Sequence, residues 1–341
     1  MLARVKRLVV LIGSAVAVLG GLAPSAQATF PGKNGKLAFV GSPVGLGPYE
    51  IHAVNPDGTE RGRLIPDAGA YNDWEPEWSA DGRKLAFSRG VSGQRIATIN
   101  SDGTGLNVLP LQGSTPTWSP DGRSLAYSFG EDVWVAGADG TNPARLTDFP
   151  AGGGNPSWSP DGRRIAFVSA RDGNWEIYVM DADGRNERRL TRYPGFDSEP
   201  DWSPDGRRIL FLRSEPSPGG DDLVVIDPNS GDENVVAVED GAAQRYRHPV
   251  WSPDGSKIAI AALCCGGRGQ LRLMNADGTS QVELGTEFGY DPTWQPIPGP
   301  SRADFKNGPA FCRSERDFWG DSFAGRYGGG ANAFGKCVSF G

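Results

Sequence analysis

The chain has 341 residues, enough for one large all-β domain or two ordinary ones, and its 49 glycines, 27 prolines and 10 tryptophans favour repeated β-structure with tight turns over a helical protein. With 34 Lys and Arg against 41 Asp and Glu the net charge is −7. That balance argues against a nucleic acid as ligand, since such binders concentrate positive charge.

In chain order, residues 1–28 read as an export signal. Arg4, Lys6 and Arg7 give a basic start, Leu8 to Leu22 an apolar run and Ala26-Gln27-Ala28 a small-x-small cleavage site. The run is short for a membrane span and is followed by Pro24, so cleavage after Ala28 is expected rather than a retained anchor. No other stretch is apolar enough to cross a bilayer. The mature chain keeps 31 basic against 41 acidic side chains, a net −10. It is expected to be soluble and secreted or otherwise extracytoplasmic, in the cell envelope.

Residues 29–297 are built from one repeated phrase. Two full copies are Trp158-Ser159-Pro160-Asp161-Gly162 and Trp202-Ser203-Pro204-Asp205-Gly206, each followed by an aliphatic strand. Placing Trp78, Trp118, Trp158, Trp202, Trp251 and Trp294 in register gives spacings of 40, 40, 44, 49 and 43 residues. A period of that length signals a propeller whose units cannot bury their faces alone. The first copy, at Pro31 to Phe39, lacks the tryptophan strand, and the unit opened by Trp294 stops at Pro296. Both defects are cured if the strand around Trp294 pairs with Lys36 to Val40. The expected fold is all-β: a six-bladed β-propeller of four-stranded blades, closed by strands from both ends.

Within a unit, Pro156 to Trp158 is the inner strand and Ser159 to Gly162 a hairpin turn. Arg164 to Ser169 and Trp175 to Met180 follow, then an Asp183-Gly184 hairpin and an outer strand from Arg188. The recurring Asp-Gly pairs could suggest calcium loops, but the alternating oxygens and closing glutamate of such loops are missing. These repeats resemble the TolB-type β-propeller family, whose mark is Trp-Ser-Pro-Asp-Gly, then an aliphatic-Ala-Phe strand, then Asp-Ala-Asp-Gly-Thr. The resemblance implies a six-bladed propeller without the Gly-His and Trp-Asp signatures of the usual WD40 form.

The strand order puts both hairpin classes on one face and the variable loops on the other. On that second face the position before each recurring proline should line the central channel: Glu75, Thr115, Asn155, Glu199, His248 and Asp291. These six are the candidate ligand-binding ring. They would either cap strand starts and bind channel water, or hold a hard cation such as Ca²⁺ through Glu75, Asn155, Glu199 and Asp291. Six-bladed lactonases are similar in architecture, without a matching motif here. Tyr71, Asp73, Trp74, Tyr193, Phe196, Asp197, Phe288 and Tyr290 crowd the neighbouring loops, and Arg245 to His248 adds local positive charge.

After a stiff linker from Gln295 to Ser301 the period disappears, so 298–341 is read as linker and small C-terminal segment. Phe311, Cys312, Glu315 and Phe318 have helical spacing. Too small for a core of its own, the segment would be stapled by a Cys312–Cys337 disulfide or docked with free thiols. It resembles a short Cys-containing segment that ends many secreted actinobacterial proteins. Cys264-Cys265 form either a plain buried or oxidised pair or a redox-responsive vicinal ring.

A serine hydrolase is disfavoured: the sequence has no Gly-x-Ser-x-Gly, and its two histidines are His52, in a third strand, and His248. The expected function is therefore non-catalytic, with no required cofactor: a binding or scaffold module for a protein, peptide or glycan, engaged through the variable face. The rival is a metal-dependent hydrolase or lactonase working in the channel.

Overall fold

The computed structural model of the chain describes residues 32–42, 48–66, 71–91, 94–148, 152–214, 220–238, 245–264, 268–285, 289–299, 308–319, 333 and 337. The export signal, Cys265 and Phe288 lie outside them.

Strand β1 (Gly32–Gly41) pairs antiparallel with β2 (Glu50–Val54), which pairs with β3 (Gly62–Arg63). Blade two holds β4 (Asn72–Trp78), β5 (Lys84–Gly90), β6 (Arg95–Asn100) and β7 (Asn107–Gln112). Blade three holds β8 (Ser114–Trp118), β9 (Ser124–Phe129), β10 (Asp132–Gly137) and β11 (Ala144–Arg145). Blade four holds β12 (Gly153–Trp158), β13 (Arg164–Ser169), β14 (Glu176–Asp181) and β15 (Arg188–Arg189). Blade five holds β16 (Phe196–Trp202), β17 (Ile209–Ser214), β18 (Asp221–Ile226) and β19 (Glu233–Ala237). Blade six holds β20 (Arg245–Trp251), β21 (Lys257–Cys264), β22 (Arg268–Asn275) and β23 (Val282–Glu283).

The last strand, β24 (Gly289–Pro298), returns to β1 and completes blade one: Leu37 stands opposite Trp294 and Ala38 opposite Thr293. Six four-stranded sheets result, and the inner strands touch in cyclic order β24, β4, β8, β12, β16, β20 and back to β24. The closure depends on a glycine. A Cβ on Gly82 would lie 2.1 Å from the Pro296 carbonyl oxygen, and the Gln295 amide donates to the Gly82 carbonyl at 2.9 Å.

Each tryptophan of the repeat phrase is buried between its own blade and the previous one. Trp78 packs with Ala38 and Ile51 of blade one, and Trp294 with Ala259, Ala261 and Leu271 of blade six. Fully burying one such apolar side chain is worth roughly 1.5–3 kcal/mol, so no blade is stable until a neighbour covers it.

The turns repeat their bonds as faithfully as their letters. The Ser159 hydroxyl donates to Asp161 at 2.7 Å, and the Arg163 N–H donates to the same oxygen at 3.0 Å. Asp81, Asp121, Asp205 and Asp254 do the same in their blades. In the second hairpins Asp57, Asp102, Asp139 and Asp277 accept from the threonine two residues on. Local hydrogen bonding thus accounts for the Asp-Gly pairs.

Beyond the propeller, α1 (Gly308–Trp319) is tied to residue 337 by a Cys312–Cys337 disulfide with a Cα–Cα distance of 5.9 Å. The helix docks on the closing blade: Trp319 lies against Gly299, and the Lys33 ammonium sits 4.7 Å over the Phe318 ring. Cys264 is the last residue of β21.

Candidate functional site

Five of the six inner strands carry the same irregularity at the same place, and β24 carries it against β1. In β4 the register jumps from Trp74 to Glu77, so that Glu75 and Pro76 together oppose the single residue Phe87. Equivalent bulges fall at Thr115-Pro116, Asn155-Pro156, Glu199-Pro200, His248-Pro249 and Asp291-Pro292. All six residues before proline take left-handed backbone conformations, with φ from 47° to 55°. None is glycine, and such a conformation costs about 1–3 kcal/mol per residue. Repetition of that strain around the ring identifies the bulge as the device that turns these six positions toward the mouth of the channel.

A bulge also leaves an N–H without a partner in its own ladder. Here the neighbouring blade supplies one. Asp291 accepts from the Glu75 N–H at 3.2 Å, and Glu75 accepts from the Thr115 N–H at 2.8 Å and from the Ser88 hydroxyl at 2.7 Å. Ser128, bonded to the Thr115 hydroxyl at 2.6 Å, accepts from the Asn155 N–H at 3.0 Å. Glu199 accepts from the His248 N–H at 2.6 Å, and His248 Nε2 lies 2.8 Å from Asp291 Oδ1. The ring residues therefore clip blade to blade. The six positions do meet around one mouth, enclosing a cavity of about 120 Å³.

The charges compensate one another. Burial alone would lower the His248 pKa, but the carboxylates of Asp291, Glu199 and Glu75 outweigh it and raise it to about 10. His248 is consequently an imidazolium at neutral pH. Burial raises the pKa of Glu75, against the hydrogen bonds from Ser88 and Thr115.

One layer deeper lies a pair that sequence reasoning missed. Glu77 and Asp201 face a cavity of about 50 Å³ with Thr117, Ser157 and Thr293. The Thr293 hydroxyl donates to Glu77 at 3.0 Å, and the Trp251 N–H to Asp201 at 2.8 Å. Burial pushes their pKa values up, to about 8 for Glu77, where Asp201 adds repulsion, and to about 7 for Asp201. The available signal was position: each stands two residues after a ring residue, directly before the repeat tryptophan.

The four candidate metal ligands, Glu75, Asn155, Glu199 and Asp291, fit a cation poorly. Oxygens of all three carboxylates already receive N–H groups or the His248 imidazolium, which supplies positive charge inside the mouth. Among the described residues no group of three or more His, Cys, Asp or Glu is arranged to hold a metal ion.

The neighbouring loop residues divide into two sets. Asp73 is buried against Arg89 at 2.9 Å, and Asp197 against Arg213 at 2.9 Å. Trp74 packs on Tyr49, while Tyr71 and Tyr193 lie under the guanidinium groups of Arg89 and Arg213. Asp73, Asp197, Trp74 and Tyr193 serve packing, whereas Tyr71 stays 46% exposed; Arg247 is bonded to Asp221 at 3.0 Å. Phe196, by contrast, is 50% exposed, and two residues that the sequence had not singled out join it: Phe129 at 41% and Trp175 at 38%. With Glu131, Asn155, Glu199 and Arg247 they line a cleft of about 620 Å³ that reaches from blade three to blade five and borders the ring.

Fold and site together define a six-bladed β-propeller with a clipped, charge-compensated mouth and an open aromatic cleft on its variable face. The family described as "TolB beta propeller domain" matches residues 96–297, more than half of the chain, and the chain belongs to that family. Among solved structures it is similar to TolB from Acinetobacter baumannii, at 22% identity and a TM-score of 0.66, covering 77% of this chain and 67% of that one. A nidogen/laminin complex gives a TM-score of 0.62 at 14% identity, covering 77% of this chain and 98% of that one. At such identities the likeness establishes the fold. A search of curated protein sequences finds no match.

Proposed function

We propose that this chain is an exported, non-catalytic binding module of the cell envelope or extracellular space, which engages a protein, peptide or glycan through its variable face. The observation that carries this reading is the cleft bordering the channel mouth. Phe129, Trp175 and Phe196 remain exposed there, whereas the six repeat tryptophans and the second-strand aromatics Phe39, Phe87, Tyr127, Phe167 and Phe211 are buried. Large aromatics left open beside polar groups are the usual material of recognition surfaces. Membership of the TolB propeller family, and the basic, apolar and small-x-small pattern of residues 1–28 that reads as an export signal, support a location outside the cytoplasm. No helix among the described residues is long and apolar enough to cross a membrane.

The metal-dependent hydrolase loses ground to this reading because the ring oxygens are engaged in joining blades. A photo-crosslinking residue placed at Phe196 in cells, compared with one at Asp102 on the opposite face, tests the proposal. Specific adducts from Phe196 alone are expected. Equal adducts from both positions overturn it, as does the absence of adducts together with the absence of glycan binding to the purified protein.

A further inference from the structure

We infer that the cleft between blades three and five is a saccharide site, taking a short run of neutral hexose units; this rests on the variable face being the binding face. The cleft, about 620 Å³, falls within the size range of small-ligand sites, roughly 300–1,000 Å³, and is far too small for a protein domain.

The segments that carry its aromatic groups are tied to their neighbours. The Asp197 N–H donates to the Trp175 carbonyl at 2.9 Å, tying blade four to blade five beside Phe196. Asp197 is itself held by Arg213 at 2.9 Å. Trp175 rests on Gly152, where a Cβ would come within 3.0 Å of the indole. Phe129 is steadied from blade three: Trp134 meets its ring edge-on at 5.8 Å and donates to its carbonyl at 3.1 Å. Ring faces exposed to water on tied-down backbone suit the C–H faces of a pyranose, which stack without needing a deep apolar pocket.

The polar groups beside them have the complementary character. No hydrogen bond within the protein engages the Asn155 side-chain amide or the Glu131 carboxylate among the described residues, and both border the cleft. Glu131 sits at φ 68° in the two-residue turn Gly130-Glu131, a conformation that brings its backbone against Gly153. An amide that donates and accepts and a carboxylate that accepts in pairs match vicinal hydroxyls. Two carboxylates, Glu131 and Glu199, against the single cation Arg247 disfavour acidic sugars. A peptide strand would need an open row of backbone donors and acceptors, whereas this cleft is bordered mainly by side chains and glycine turns.

Calorimetric titration of the mature protein with chitotetraose, cellotetraose and maltotetraose, with a tetragalacturonate and a tetra-alanine peptide as comparators, tests the inference. At least one neutral tetrasaccharide should bind saturably, and Trp175→Ala should weaken it about tenfold or more. Glu131→Gln, at an exposed turn and free of folding consequences, should weaken it several-fold. Absence of saturable binding to all three neutral sugars, or binding indifferent to both substitutions, overturns the saccharide site. If that happens while Phe196 still forms specific protein adducts in cells, the binding face stands and only the ligand class falls; if neither is seen, both fall.

Discussion

His248 Nε2 lies 2.8 Å from Asp291 Oδ1, so that an imidazolium from blade six is clamped to the carboxylate that itself caps the bulge of blade two. The contact joins the last repeat to the strand that closes the ring. It makes the mouth of the channel sensitive to proton binding.

Because the folded-state pKa of His248 is raised from 6.5 to about 10, its contribution to stability is complete below pH 6.5 and is lost as pH climbs through about 10. His248→Gln should therefore lower the melting temperature most at pH 6 and progressively less toward pH 10. Melting curves of both proteins across that range check this. A gap that widens with pH would show that the imidazole is neutral in the fold.

The throat pair behaves in the opposite sense. Folded-state pKa values of about 8 for Glu77 and about 7 for Asp201, against 4.5 and 3.8, mean that the folded protein retains protons which the unfolded chain releases. Stability falls as pH rises from about 4 to 8. The Glu77→Gln/Asp201→Asn double variant should match the parent at pH 4 and exceed it in melting temperature at pH 8. A variant less stable at pH 8 would mean that the ionised pair holds a cation.

Calcium offers a separate check on the mouth. With its carboxylates engaged by N–H groups and His248, millimolar Ca²⁺ should leave the melting temperature unchanged. A rise with calcium that disappears in both Glu199→Ala and Asp291→Ala would restore the four-ligand metal site.

Closure can be measured directly. Trp294 is 5% exposed and packs with Leu37 and Phe39 of the first strand. Trp294→Ala should cost about 3–5 kcal/mol in urea denaturation with a single cooperative transition. A cost below about 1 kcal/mol would show that blade one contributes little to the ring.

The C-terminal helix should be separable. Cys312→Ser is expected to expose α1 to limited proteolysis while the propeller melts at its usual temperature, because the helix meets the closing blade at its rim, near Lys33 and Gly299. A large drop in propeller stability would make the segment part of the core.

The propeller was legible because its tryptophans, prolines and turn glycines each answer a backbone or packing demand repeated in every blade. The ring was legible for the same reason: proline marks the bulge, so the residue before it could be placed at the mouth without coordinates. Its left-handed conformation was not, since proline ordinarily holds its predecessor extended. The throat was hidden because the position occupied by Glu77 and Asp201 is threonine, serine or valine in the other four copies. Asp73 and Asp197 looked like surface acids, whereas each finds its arginine sixteen residues later on the adjacent strand. The cleft was illegible in principle, for Phe129 ends a strand of blade three, Trp175 precedes one in blade four and Phe196 opens one in blade five, and they meet only once the disc has formed.

The pairing of Leu37 with Trp294 also sets a timetable. A ribosome delivers the partner of the opening strand after nearly the whole propeller, so the disc cannot lock until synthesis is almost finished. Export as proposed above would gain from such lateness, because a chain that stays unlocked until its far end is free remains threadable through a narrow pore.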